Sequence, residues 1–189
     1  MRNFWKVLRI MELRNIPYSV SYRNVKYPRL EFRTGRLLLV LPFGRKPGPI
    51  LDKHKRWILK KMAFVEECLK HASDKKMVEI PEKEFRERTF SLVKKGLKEL
   101  GGKLNHIYFR IMRTKWASLS SRRNLTINRL MRHLPENLIK YIIFHEIIHL
   151  KEKKHNDRFW DVVSKRFKNY KEIEKDLFVY WFKISGQKE

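Results

Sequence analysis

Tyr141-Ile142-Ile143-Phe144-His145-Glu146-Ile147-Ile148-His149-Leu150 is the stretch that decides how the chain is read. His145, Glu146 and His149 form an H-E-x-x-H pattern inside an apolar helical run. On an α-helix, positions four apart lie on one face, about 40° apart in rotation and one turn along. His145 and His149 can therefore offer two imidazole nitrogens to one ion. Zinc takes such ligands at about 2.0–2.1 Å, and a catalytic site keeps one position for water. Glu146 is placed to accept the proton of that water and to return it to a leaving group. The expected function is a zinc-dependent hydrolase, most simply of the metallopeptidase type, with Zn2+ as cofactor. Another divalent transition metal would suit the same ligands.

A third histidine, His155, follows after five intervening residues. In an unbroken helix it would sit about 600° further round, on a different face from His149. It reaches the metal only if the helix stops between Leu150 and Lys154 and the chain turns back. Asn156 supports that turn. It is a good N-cap, with Asp157 in the first turn and Phe159, Trp160, Val163 and Phe167 as a new apolar series. A rival placement puts the third ligand on Glu172 or Glu174, on a last helix running to about Ile184. The corner position favours His155. Metzincin peptidases share the histidine spacing but carry Gly where this chain has Glu152, and no Met follows His155 to make their Met-turn.

Working outward, the chain predicts an α+β protein. Ile16–Tyr22, Arg29–Arg33 and Leu37–Leu41 read as antiparallel strands with a hairpin at Gly35, and Met1–Arg14 as a short helix or lead-in. Pro49 opens a helix to about His71, with Ile50, Trp57, Ile58, Met62, Val65 and Leu69 on its apolar face. Ala72–Glu79 is a polar linker. Pro81 opens a helix to about Leu100, stopped by Gly101-Gly102. His106–Met112, Lys115–Ser121 and Leu125–Asn128 read as strands of a small antiparallel sheet, and Pro135 opens the motif helix. The domain expectation is an N-terminal hairpin–helix lobe over 1–75 and a zincin-like catalytic region over 76–189, either as two lobes or as one compact domain.

Charge is the unusual total: 45 Lys and Arg against 20 Asp and Glu, a net +25. Such a field concentrates anions, so nucleic acid or a nucleotide joins peptide or protein as an expected partner. A nucleic-acid-associated protein with a structural metal is a third reading, but structural zinc sites usually have four protein ligands. No apolar run approaches the roughly 18 residues of a membrane helix. The single cysteine, Cys68, excludes an intrachain disulfide, and together these favour a cytoplasmic location.

These residues carry a family resemblance. Ile16-Pro17-Tyr18, Arg56-Trp57-Ile58, Lys115-Trp116-Ala117-Ser118-Leu119-Ser120-Ser121, His145 to His155 with Glu152, and Phe159-Trp160 resemble the YgjP-like metallopeptidase-domain family, distantly similar to SprT-type zinc proteases. The resemblance implies His145, His149 and His155 as metal ligands and Glu146 as catalytic base. It also brings in UTP pyrophosphate hydrolysis, for which Lys115, Arg122, Arg123 and Arg158 are candidate phosphate contacts. The chain departs from the family at Ala117, where the family has Gly, and at Leu119, where it has Cys. A strand beside a metal helix can pair with extended substrate. Trp116, Ser118, Ser120, Asn128 and Arg158 are accordingly the expected substrate-binding residues.

Overall fold

The computed structural model describes residues 18–33 and 35–185. The expected lead-in helix Met1–Arg14, the first two residues of the first expected strand and Thr34 of the turn lie outside them. The chain divides into two compact units, Met1–Lys70 and His71–Glu189.

In the first unit, β1 (Tyr18–Tyr22), β2 (Arg29–Arg33) and β3 (Arg36–Leu41) form one sheet with β3 in the centre. Leu37, Leu39 and Leu41 alternate onto one face, as a pleated strand requires, and pack with Val20, Leu30 and Phe32. Gly35 takes φ +81 at the β2–β3 turn, a conformation that glycine adopts without strain. Two helices follow where one was expected: α1 (Gly48–Lys53) and α2 (Lys55–Ala72), broken at His54. The break resets the helical phase. Ile58 and Cys68 are buried, while Trp57 and Leu69, expected on the apolar face, are 40% and 52% exposed.

The second unit contains α3 (Glu82–Leu100), β4 (His106–Arg110), β5 (Ala117–Leu119), β6 (Asn124–Asn128), a 3-10 turn at Arg129–His133, α4 (Glu136–Ile148), α5 (Asp157–Arg166) and α6 (Tyr170–Ser185). Helix α4 is its axis. Eight of its side chains are buried, including Leu138, Ile142, Ile143, Phe144, Ile147 and Ile148, so it is enclosed on nearly every side. Burying each such side chain contributes roughly 1.5–3 kcal/mol. Helix α3 approaches it closely at Gly96, where a Cβ would lie 2.5 Å from Cδ1 of Ile147.

The α+β class and the two small three-stranded sheets agree with the sequence, but the strand pairing does not. Neither sheet is purely antiparallel: β1 pairs with β3 and β4 with β6 in parallel. The cause is the same in both. The last two strands form a tight hairpin, β2–β3 or β5–β6, that fixes an antiparallel pair. The first strand then joins the far edge of the third. For β4 this is possible because residues 111–116 reverse the chain before β5 begins. Composition identifies strands but does not fix which edge a third strand joins.

Asn128 closes that reversal. It is fully buried, and its amide Nδ2 donates to the carbonyls of Met112 (2.8 Å) and Lys115 (2.7 Å). Its Oδ1 accepts from the amides of Met112 and Leu130, both at 3.2 Å. All four hydrogen bonds open to an amide side chain are thus made to main chain. Asn128→Ala should destabilise the protein by about 3 kcal/mol, because two buried carbonyls lose their donors. That corresponds to a fall in Tm of roughly 6–12 °C for a chain of this size. Asn128→Asp should not rescue it, since a carboxylate cannot donate to either carbonyl; thermal melts followed by circular dichroism check both.

Candidate active site

Helix α4 ends at Ile148, and His149 is already its cap residue, in helical conformation. The amides of Leu150, Lys151 and Glu152 bond back to Ile147 and Ile148, which tightens the last turn. Asn156 then caps α5: its Oδ1 accepts from the Phe159 amide at 2.9 Å. Between these two ends the chain doubles back, and His155 sits at the corner. Its Nε2 lies 3.0 Å from Nε2 of His145 and 3.0 Å from Nε2 of His149.

Those distances bear on what the three rings can hold. Nδ1 of His149 is 2.8 Å from the carbonyl of Glu152, so that nitrogen donates and Nε2 keeps its lone pair. His155 meets two imidazole nitrogens with one of its own. A single proton there cannot satisfy both contacts, whereas one cation can satisfy all three. Tetrahedral ligands at about 2.0–2.1 Å stand roughly 3.4 Å apart, so a small adjustment would seat a metal ion. Burial, with the neighbouring His155 and His149, lowers the pKa of His145 to about 3. Burial and His149 lower that of His155 as well. Both are therefore neutral at pH 7, the form that ligates. The three residues fit a metal ion.

The rings rest on Phe159, which is fully buried. Its ring centroid lies 4.8, 4.8 and 4.6 Å from those of His145, His149 and His155. The Phe159-Trp160 pair that follows the motif is thus the floor of the site, and Trp160 stacks in turn on Tyr170.

Glu146 faces β5. Burial raises its pKa; the neighbouring His149, a hydrogen bond from the Leu119 main chain and Lys115 oppose that rise. The amide of Ser120 bonds to Asn124 and the carbonyl of Trp116 accepts from Asn128, so the even-numbered residues of β5 face β6. In an antiparallel pair this alternates, which turns the main chain of Ala117 and Leu119 towards the free edge.

A cavity of about 850 Å3 opens over these groups, lined by β5, the motif residues and the near side of α6. Trp116, Ser118 and Ser120, the expected substrate contacts, lie in its wall. Trp116 donates its indole N–H to the Leu177 carbonyl at 3.3 Å and packs its ring edge-on against Trp181, 4.8 Å between centroids. Lys115 and Arg123 also line it; Arg122 and Arg158 do not. Arg158 is instead an exposed residue on α5. Asn128, expected to touch substrate, is a buried clamp with no group left for it. Glu172 is exposed, and Glu174 stands in the wall bonded to the Tyr141 hydroxyl at 3.1 Å, outside the histidine group. Sequence reasoning missed Tyr141, Lys153 and the Leu119 amide. Tyr141 was recoverable, since it stands one turn before His145 on the same face.

A match to the family described as YgjP-like, metallopeptidase domain covers residues 70–179, more than half of the chain and every residue of this cavity. The chain belongs to the YgjP-like family. Membership supports metal-dependent hydrolysis of the metallopeptidase type as the class of chemistry. The chain is also similar to the UTP pyrophosphatase of Escherichia coli (strain K12), 27% identical over 75 residues. That match covers 40% of this chain and 45% of that protein, so the chain spans less than half the length of the curated relative it matches. Among solved structures it is similar to the metallopeptidase zymogen abylysin of Pyrococcus abyssi, with 27% identity, a TM-score of 0.43, and 47% of this chain and 90% of that one covered. The corresponding values for the zymogen jannalysin of Methanocaldococcus jannaschii are 30%, 0.43, 47% and 92%. No helix among the described residues of this YgjP-like chain is long and apolar enough to cross a membrane.

Elemental analysis of the purified protein should find one divalent transition-metal ion per chain. His155→Ala should weaken its retention on the order of 100-fold or more, since loss of even an outer partner costs about 10–100-fold. His155 is exposed, so its melting curve without metal should stay close to that of the wild type. Unchanged metal content in the variant would exclude His155 as a ligand.

Proposed function

We propose that the chain is a zinc-dependent peptidase in which His145, His149 and His155 hold the metal and Glu146 is the catalytic base. The observation that carries this reading is the approach of three imidazole Nε2 atoms to one point beside the Glu146 carboxylate. A bound zinc ion would supply Lewis acidity, acidifying water and polarising the scissile carbonyl. The protein's own residues do the rest. Glu146 takes a proton from the attacking water and passes it to the leaving nitrogen. Its raised pKa suits that exchange, because a carboxylate that binds a proton more readily also serves as the later acid. The Glu152 carbonyl holds His149 in the tautomer that leaves Nε2 free for the metal.

An extended peptide would lie along β5. The main-chain groups of Ala117 and the Leu119 carbonyl face the cavity edge and offer strand-like pairing. Ser118 and Ser120 would flank that peptide, and the Trp116 ring would support a side chain. Ala117 in place of glycine leaves the strand's pairing groups intact, because its Cβ points into the core and the residue is 6% exposed. Leu119 contributes its amide to Glu146, which any residue but proline supplies.

Pyrophosphate hydrolysis of a nucleotide is the second reading. It is favoured by Lys115, Arg123 and Lys153 in the cavity wall and by the likeness to a UTP pyrophosphatase. Cationic side chains near a metal suit phosphate oxygens. A nucleic acid remains a proposed partner through the net charge of +25.

Glu146→Gln is the deciding variant. It should retain metal at the wild-type level and lose at least about 100-fold in kcat on any cleaved peptide, the lower end of what general acid–base catalysis contributes. Full activity in that variant would remove Glu146 from the mechanism. Incubation of the wild type with UTP, followed by detection of pyrophosphate, separates the second reading from the first.

A further inference from the structure

Glu174 stands in the cavity wall with no part in the reaction just described. It is half-buried on α6, and its Oε1 accepts from the Tyr141 hydroxyl at 3.1 Å. Tyr141 lies one helical turn, about 5.4 Å, before His145. Its ring centroid is 5.8 Å from that of His145. Through Tyr141, Glu174 stands in the same cavity as the three histidines, bonded to the residue whose ring neighbours that of His145. Among the lining residues only Glu146 and Glu174 are acidic. The basic ones, Lys115, Arg123 and Lys153, come from the 111–116 reversal, the β5–β6 turn and the segment beyond α4, whereas Glu174 belongs to the wall built by Tyr141 and α6.

A carboxylate in that position is expensive to desolvate, and the donor that meets it is a neutral phenol. Burial raises its pKa accordingly, and the Tyr141 hydrogen bond acts in the opposite sense. A cation would offset the cost far better than the phenol does. Leu177 and Phe178 stand three and four positions on, on the same face of α6, and also line the cavity. They add an apolar surface beside the charge, suited to a hydrocarbon stem that ends in a positive head.

We infer that Glu174 is a specificity-determining residue that binds a cationic group of the substrate, carried on an apolar stem that lies against Leu177 and Phe178. The inference rests on the peptidase reading and narrows it. The group is either the free amino terminus of a peptide or a Lys or Arg side chain near the scissile bond. Both present a hydrogen-bonding cation to the same cavity wall.

The test uses the full-length, zinc-loaded Glu146→Gln variant and four peptides of one sequence. They carry a free or an acetylated amino terminus, each with either Lys or norleucine at one position. Calorimetric titration should give at least one cationic form an affinity about 10-fold or more above the acetylated norleucine peptide. The arm that does so names the source of the charge. Adding Glu174→Gln keeps an acceptor for Tyr141, so the packing of α6 on α4 is retained. It should bring the ratio to within about twofold, a change that a purely structural role would not produce. Equal affinity for all four peptides, an unaltered ratio in the double variant, or no binding at all would overturn the assignment. Cleavage by the wild type is scored separately. Cleavage without a Glu174-dependent preference overturns this assignment and leaves the peptidase reading standing. A Glu174-dependent preference in binding, without cleavage, supports the assignment and removes only the peptidase reading.

Discussion

The three-histidine site depends on one main-chain event, the end of α4 at its second histidine. Had the helix continued for six more residues, His155 would point away from His145 and His149. Its termination brings the Glu152 carbonyl to Nδ1 of His149 and His155 Nε2 to the other two rings. A single turn thereby sets both the tautomer of one proposed ligand and the position of another. The Asn156 cap begins α5 at the residue after His155, which leaves the corner no slack. Phe159, one turn into α5, is then forced beneath all three imidazoles. The site is therefore a consequence of how two helices are joined, and substitutions at the joint act on all of it together.

That joint works only because α4 is held on nearly every side. Leu138, Ile142, Ile143, Ile147 and Ile148 are buried, and α3 presses close enough at Gly96 to leave no space for a methyl group beside Ile147. A helix fixed this firmly cannot shift its register, so the side chains at 145, 146 and 149 have one orientation available. The same enclosure makes charge costly. It depresses the pKa of His145 and raises that of Glu146, opposite directions for opposite signs of charge. One apolar surround thus produces a neutral imidazole and a readily protonated carboxylate side by side.

The parts of this that the sequence made legible are those governed by local rules. Helical spacing put His145 and His149 on one face, and the Asn156-Asp157 signal located the break that His155 requires. Gly35, Pro81 and Gly101-Gly102 ended or began elements where turn chemistry demands it. What stayed hidden depends on long-range pairing. The parallel pairs β1–β3 and β4–β6 follow from where the reversing loops carry the first strand of each sheet, which no period of hydrophobicity encodes. Asn128 looked like a polar strand residue open to substrate, but it is the clamp of the 111–116 reversal. Its role requires knowing that Met112 and Lys115 return to the end of β6. Glu174 stood in the sequence as a rival ligand, and only the packing of α6 on α4 gives it to Tyr141.

Asn128 also ties the sheet to the chemistry. It fixes Lys115 through the carbonyl of that residue, and β6, which it ends, sets the register of β5. That register alternates the main chain so that the Leu119 amide reaches Glu146 while Ser118 and Ser120 bond to β6. A slip of one residue would exchange these roles: the amides of Ser118 or Ser120 would face the helix, and Ala117 would leave the core. Both groups that oppose the rise in the Glu146 pKa from outside α4, the Leu119 amide and Lys115, therefore descend from one buried amide side chain. Burial sets the direction of the shift in the proposed base, the pairing of a three-residue strand tempers it, and that strand is the same edge along which a peptide would be laid out.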